Sequence, residues 1–291
     1  MQYRTLGKTA IEVSVVGIET HQWSGMGGKF FAREDVQAIL ERAQKFGINF
    51  IDTGECYFFH AAERVIGEAL GSSRKKFIIA TKFGHTSEPE RTARTWTAEG
   101  IKKSLDDSLR ALKTDYIDIY ELHINSEEDL NCFEDTVGEV AKALKQAKDD
   151  RIIRSIGICL GDNELFDKKG KILEVAIREV GVESVEVVYN RLHREAETGV
   201  LPMAQKYGLG VIARVPLAKG YLSSRFKPSN KNYDARLVAE VENIKKKEVP
   251  EGVDIAEWAI NWCIKNPAVA SVIPGCSAPE QLDSTCRALN L

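Results

Sequence analysis

Four side chains that can hold or move a proton follow three successive apolar runs of the chain. Phe50-Ile51-Asp52 leads through Thr53-Gly54-Glu55-Cys56 to Tyr57, Ala80-Thr81 leads to Lys82, and Tyr120-Glu121-Leu122 leads to His123. A phenol titrates near ~10 in water and gives up its proton reluctantly at neutral pH. An ammonium beside it stabilises the phenolate left behind, so Lys82 makes Tyr57 a better acid. Asp52 then holds Lys82 charged where burial would otherwise be costly, and His123 offers a hydrogen bond that orients a substrate oxygen. Together the four are a proton-donating set for a carbonyl oxygen that gains negative charge. Taken singly, each has a blander reading: an ion pair at a strand end, an aromatic packed on a rim, a satisfied polar group. Their recurrence on three consecutive strands is what argues for shared chemistry.

The elements that must position them follow from hydrophobic period. Short apolar runs alternate with longer stretches at helical spacing. The strands are expected at Val13–Ile18, Asn49–Asp52, Phe77–Lys82, Tyr116–His123, Ser155–Cys159, Val185–Tyr189, Val211–Pro216 and Val269–Ile273. Helices are expected at Glu34–Phe46, Glu63–Leu70, Ala98–Leu112, Asp129–Lys148, Leu165–Val180, before Tyr207, at Asp254–Lys265 and at Pro279–Leu289, with a partial helix over Arg236–Lys247. Eight strand–helix units imply parallel strands joined by right-handed crossovers, and that number favours a closed barrel over an open sheet. The fold class is therefore α/β, a (β/α)8 TIM barrel, with a short N-terminal β-hairpin at Tyr3–Val13, turned at Gly7-Lys8, capping the barrel bottom. Residues 1–291 are expected to form one barrel domain.

Composition removes several classes. The formal net charge is -3 with both signs mixed along the chain, which leaves no electrostatic footprint for nucleic acid. Six cysteines lie scattered without a CxxC pair, so neither a zinc site nor a disulfide framework is expected. No signal-like or membrane-length apolar run occurs, and the chain reads as cytoplasmic, without membrane or nucleic-acid partners. The oligomeric state stays open.

At the motif level the chain resembles the aldo-keto reductase family. The likeness runs from Tyr3-Arg4-Thr5-Leu6-Gly7 to Ile273-Pro274-Gly275 and is most specific at Phe50–Tyr57, Ala80–Gly84 and Asp115–His123. The resemblance implies reduction of an aldehyde or ketone to an alcohol by NADP(H) or NAD(H), with Tyr57 as general acid and Asp52, Lys82 and His123 in support. It also implies a dinucleotide bound without a GxGxxG unit. The implied cofactor contacts are Thr20, Asp52, Cys159, Glu186, Arg214, Pro216, Leu217, Ala218, Gly220, Leu222, Gly275, Ser277, Gln281 and Thr285. Several depart from the family pattern. Cys159-Leu160 stands where a Ser-Asn pair is usual, Glu186 replaces a glutamine, and Glu19 precedes Thr20 in place of glycine. Ser277 and Gln281 stand where NADP-preferring members place a basic residue for the 2′-phosphate, so NADH is expected to serve about as well as NADPH, or both to bind weakly. Substrate contacts are expected from His21, Trp23, Phe58, Phe59, His85 and Asn125, an aromatic and largely apolar mouth for a small carbonyl compound. The alternative, suggested by the altered cofactor positions, is a catalytically weak regulatory or redox-sensing module on the same fold.

Overall fold

The computed structural model describes residues 1–25, 28–85, 96–161, 168–226 and 234–291. Two strands, β1 (Tyr3–Thr5) and β2 (Glu12–Ser14), pair as an antiparallel hairpin. Eight parallel strands follow: β3 (Ile18–Glu19), β4 (Phe50–Asp52), β5 (Ile78–Phe83), β6 (Ile117–Ile124), β7 (Ile153–Leu160), β8 (Ser184–Val188), β9 (Gly210–Arg214) and β10 (Val269–Ile273). They pair in sequence order, and single parallel bridges Val16–Val272 and Glu19–Gly275 close the ring. This is the (β/α)8 barrel expected from the alternation.

The first barrel strand differs from the expectation. Val13 and Ser14 are spent on the hairpin, and the barrel strand shrinks to Ile18–Glu19. The apolar run Val13–Ile18 is therefore shared by two sheets: Leu6, Ile11 and Val13 plug the barrel bottom against Phe50, Ala80, Ile119, Ile212 and Ile273.

Around the barrel lie α1 (Arg33–Phe46), α2 (Ala61–Leu70), α3 (Ala98–Leu112), α4 (Glu127–Asp149), α5 (Lys169–Val175, continued by a π turn over Ala176–Val180), α6 (Val200–Tyr207), α7 (Ala235–Lys247), α8 (Ile255–Ile264) and α9 (Gln281–Arg287). The expected start of the fifth crossover helix, at Leu165, lies outside the described residues. Caps fix several of the helix starts: Thr97 accepts from Gly100 N, Ser126 from Asp129 N and Asp254 from Ala256 N. No helix among the described residues is long and apolar enough to cross a membrane.

Strand period two decides what faces the barrel axis. Ile51, Ile79, Tyr120, Leu122, Ile158, Leu160, Val185 and Val187 belong to the core beneath the helices. Their neighbours point inward, apolar at the bottom (Phe50, Ala80, Ile119, Ile212) and polar one pleat higher. That upper layer holds Asp52, Lys82, Glu121, His123, Cys159, Glu186 and Arg214, and the register sets Lys82 beside Glu121, His123 beside Cys159, and Cys159 beside Glu186.

Candidate active site at the barrel mouth

The polar layer centres on Lys82, whose side chain is fully buried. Its ammonium donates to Asp52 Oδ1 and, at 2.8 Å, to the Thr53 carbonyl, and stands 3.5 Å from the Tyr57 hydroxyl. It also lies 3.3 Å from Glu186 Oε2 and 4.0 Å from Glu121 Oε2. One oxygen each of Asp52, Glu121 and Glu186 falls within 4.8 Å of the others, a spacing that suits a cation, and the Lys82 ammonium lies against all three carboxylates. Thr20 steadies the Asp52 backbone, donating its hydroxyl to the Asp52 carbonyl at 2.8 Å.

Glu121 was missed at the sequence level, although it sits two residues before His123 on an inward-facing strand position. Strand alternation was the signal that could have found it. Glu186 faces the same centre: Cys159 Sγ donates to its Oε1 at 3.3 Å, and Arg214 Nε stands 3.8 Å from that oxygen. Leu160, by contrast, points away from the axis into the helix layer.

Burial governs the electrostatics. Lys82 is pulled down by desolvation, but Asp52 and Glu186 outweigh this and hold it well above the usual ammonium value. Glu186 is pushed up by burial yet held below the usual carboxylate value by Lys82 and Arg214. Asp52 is raised by burial and by Glu186, with Lys82 opposing. Tyr57 rises well above an ordinary phenol because its burial outweighs Lys82. The expected acidification of Tyr57 by Lys82 is thus overridden by burial, with Asp52, Glu19 and Glu186 adding to the rise. Tyr57 holds its proton firmly at neutral pH. His123 is pressed well below the usual imidazole value by burial, then by His85 and Lys82, and is neutral. The Cys56 thiol, raised by burial to about 12, lies 3.5 Å from His123 Nδ1. A thiol that keeps its hydrogen makes Nδ1 the acceptor, which leaves the imidazole N–H on Nε2.

The expected substrate residues divide. His21 packs edge-on against the Tyr57 ring at 5.0 Å, and His85 packs edge-on against His123 at 5.1 Å. Asp129, at the start of α4, holds His85 Nδ1 at 2.8 Å and accepts from Asn125 N at 3.0 Å, so one capping residue positions both. Phe58 and Phe59 are 43% and 39% exposed beside the mouth. With His60 they form three consecutive left-handed residues, a conformation unfavourable for side chains of this size. Trp23 is buried and not part of an exposed rim. It is 2% exposed, packs against Phe31 and donates its indole N–H to the Cys276 carbonyl at 2.6 Å, which ties the loops after β3 and β10 together.

The expected nucleotide side lies after β9 and β10. Val215, Ala218, Lys219 and Gly220 all take positive φ, a strained run at the end of β9 for a β-branched residue such as Val215. Pro216 is buried, Leu217 half-buried, and Ala218 and Leu222 enter a small core with Val241, Ile244 and Ala259 of α7 and α8. This anchors the loop while leaving Lys219 at the surface. After Gly275, the Gln281 side-chain oxygen accepts from Ser277 N (2.6 Å), Ala278 N (3.1 Å) and Ser277 Oγ (3.2 Å). Thr285 is buried and turns its hydroxyl back to the Gln281 carbonyl at 3.0 Å. The donors at this turn are occupied by an amide of the chain itself.

Comparison with known proteins identifies the family of the chain. The model of the aldo/keto reductase family matches residues 17–291. Among curated proteins, the chain is 28% identical to "Uncharacterized oxidoreductase YqkF" of Bacillus subtilis, over 100% of this chain and 92% of the other. It is 28% identical to L-galactose dehydrogenase of Arabidopsis thaliana, over 99% and 88%. Among solved structures, the holo form of aldo-keto reductase AKR11C1 from Bacillus halodurans superposes with a TM-score of 0.83 at 27% identity, covering 100% of this chain and 91% of that one. The apo form of the same enzyme gives 0.77.

Proposed function

Because the chain belongs to the aldo/keto reductase family, oxidoreductases that use a nicotinamide cofactor, we propose that it reduces a small aldehyde or ketone with Tyr57 as general acid. The single observation that carries this is the Tyr57 hydroxyl 3.5 Å from a buried Lys82 ammonium that Asp52 holds, with a neutral His123 on the same inward face. When bound, the nicotinamide supplies the hydride. The chain's own residues do the rest: His123 orients the carbonyl oxygen through an N–H, Tyr57 donates the proton, and Lys82 steadies the phenolate left behind. The strained backbone after β9, with Lys219, fits a pyrophosphate, and Arg214 and Glu186 flank the place where the ring would lie. On the adenosine side the fit is poorer, since Gln281 fills the donors at Ser277 and Ala278. That supports NADH serving about as well as NADPH. The same observation favours the second reading, a catalytically weak cofactor-binding module.

Tyr57→Phe separates the two. Turnover of a reactive aldehyde at saturating cofactor is expected to fall by about 10²–10⁴-fold, while cofactor binding, followed by fluorescence, stays within twofold. Full turnover in Tyr57→Phe removes the assignment, and inactivity of the wild type across aldehydes and ketones supports the module.

A further inference from the structure

Among the described residues, Lys82 and Arg214 meet the carboxylates of Asp52, Glu121 and Glu186 in the upper layer of the barrel, with Glu19 acting on the same cations, and the charges do not balance if all are ionised. Asp52 is bonded by Lys82, and Glu186 lies 3.3 Å from Lys82 Nζ and 3.8 Å from Arg214 Nε while accepting from Cys159. These two acids neutralise the two cations. Glu121 is left over: it is fully buried, 4.0 Å from Lys82, and neither of its oxygens has a hydrogen-bond partner. Glu186 Oε2, Asp52 Oδ2 and Ser184 Oγ likewise lack one, but Glu121 alone of the three acids lacks a partner on both oxygens. An ionised third carboxylate, desolvated and without a donor, is the costly state.

We propose that Glu121 is a neutral carboxylic acid that shares its proton with Glu186 and acts as a proton store behind Lys82 and Tyr57. One proton on Glu121 resolves the local accounting. Its O–H gives Glu186 Oε2 a donor, while its other oxygen remains an acceptor for a hydroxyl. Ser184 Oγ and Glu121 Oε1 press on the same spot: a Cβ on Gly157 would stand 2.7 Å from the first and 2.8 Å from the second. The glycine keeps that space open for the pair. The groups facing Glu121 are Lys82 from β5, Asp52 from β4, Cys159 from β7, Glu186 from β8 and Arg214 from β9. Burial and then Glu186 hold Glu121 well above the usual carboxylate range, against the opposing pull of Lys82.

The store has a use if Tyr57 is the acid, and to that extent the inference rests on the proposed function. The Tyr57 O–H bond breaks and the proton passes to the substrate oxygen, leaving the electron pair on the phenolate. The phenolate takes a proton from Lys82, the Lys82 amine takes the proton from Glu121, and the Glu121 carboxylate is reprotonated from solvent water before the next turnover. Nothing is oxidised or reduced in this relay. Glu121 acts through Lys82 and is therefore a positioning residue.

Infrared difference spectroscopy in H2O and D2O at neutral pH tests the store without any substrate. The wild-type minus Glu121→Gln spectrum is expected to contain a carboxylic-acid C=O band that shifts in D2O. Taking the difference removes contributions from other buried acids such as Asp52, Glu19 and Glu55. Glu186→Gln removes one of the two carboxylates that balance Lys82 and Arg214, so Glu121 should ionise in its place and the band should weaken or vanish. In turnover, Glu121→Gln is expected to lower kcat about tenfold with KM unchanged, and to move the alkaline limb of the kcat profile to lower pH. A wild type without the band, or a band that survives unaltered in Glu121→Gln, overturns the store even if carbonyl reduction is found. A band with no turnover of any carbonyl overturns the proposed function and leaves the store standing.

Discussion

Around Lys82 every polar group stands at or just beyond the end of a strand, whereas around Gln281 the groups come from a turn and the start of a short helix. The first region is held by sheet register. Lys82 is beside Glu121 because Ala80 pairs with Ile119, and Cys159 is beside Glu186 because Gly157 pairs with Ser184. The second region is held by its own side chains: Gln281 satisfies Ser277 and Ala278, and Trp23 clamps Cys276. A register-held site keeps its charges together whether or not a ligand is present. A side-chain-held site has to give up internal hydrogen bonds before it can take one. Mutations should therefore act on folding in the first region and on ligand selectivity in the second.

The strongest way to break that contrast is Lys82→Met. It leaves Asp52, Glu186 and Glu121 facing one another without their central cation, and removing one partner of a buried ionic group costs about 3–5 kcal/mol. Without the ammonium, the folded-state carboxylates titrate still higher than in the unfolded chain. Stability gained that way is present at low pH and lost as pH rises, so the variant should lose more at pH 8 than at pH 5. Denaturant unfolding at the two pH values is the measurement. A loss below about 1 kcal/mol at both would mean that register does not force these charges together.

Glu55 sharpens the same point one layer behind the site. It precedes Cys56 and Tyr57, is 7% exposed and accepts from Gly84 N at 3.0 Å; burial, only partly offset by His60, raises it from 4.5 to about 7. A carboxyl raised on folding contributes stability that is complete below its unfolded value and disappears as pH climbs through the folded one. Folding should therefore lose roughly 3 kcal/mol between about pH 4.5 and 7 through this group. Glu55→Gln can still accept from Gly84, so it should flatten that slope while leaving the fold intact. Thermal unfolding across this range decides it, and an unchanged slope in the variant excludes Glu55 as the source.

These regions also differ in how far the sequence alone reveals them. The barrel, its hairpin and the convergence of Asp52, Tyr57, Lys82 and His123 were legible because period-two alternation and strand order are local signals. Glu121 is legible by the same alternation, because it lies on the inward pleat two residues before His123 and not past the strand end. The net effect on Tyr57 was not legible: it depends first on how deeply the phenol is buried and then on the carboxylates around the ammonium, which only the closed ring shows. The burial of Trp23 as a tie between two loops was not legible either, because the direction of a loop side chain has no period to read. The self-satisfied turn at Gln281 depends on one side-chain rotamer and left no trace in composition or spacing.

Gln281→Ala is the smallest perturbation and the most direct test of the second region. Removing the amide frees Ser277 N, Ala278 N and Ser277 Oγ, now held at 2.6, 3.1 and 3.2 Å. The turn is at the surface, so water can replace the lost acceptor and folding stability should drop by only about 1 kcal/mol. A phosphate dianion gains more from three converging donors than a ribose hydroxyl does, since charge-assisted hydrogen bonds are roughly twice as strong as neutral ones. The affinity for NADPH relative to NADH is therefore expected to rise about tenfold, with turnover per bound cofactor and the infrared signature of Glu121 unchanged. Fluorescence titration of both reduced cofactors reads the ratio. A ratio within twofold of wild type would show that the amide is not standing in for a phosphate, and cofactor choice would then have to be sought on the Arg214–Leu222 loop instead.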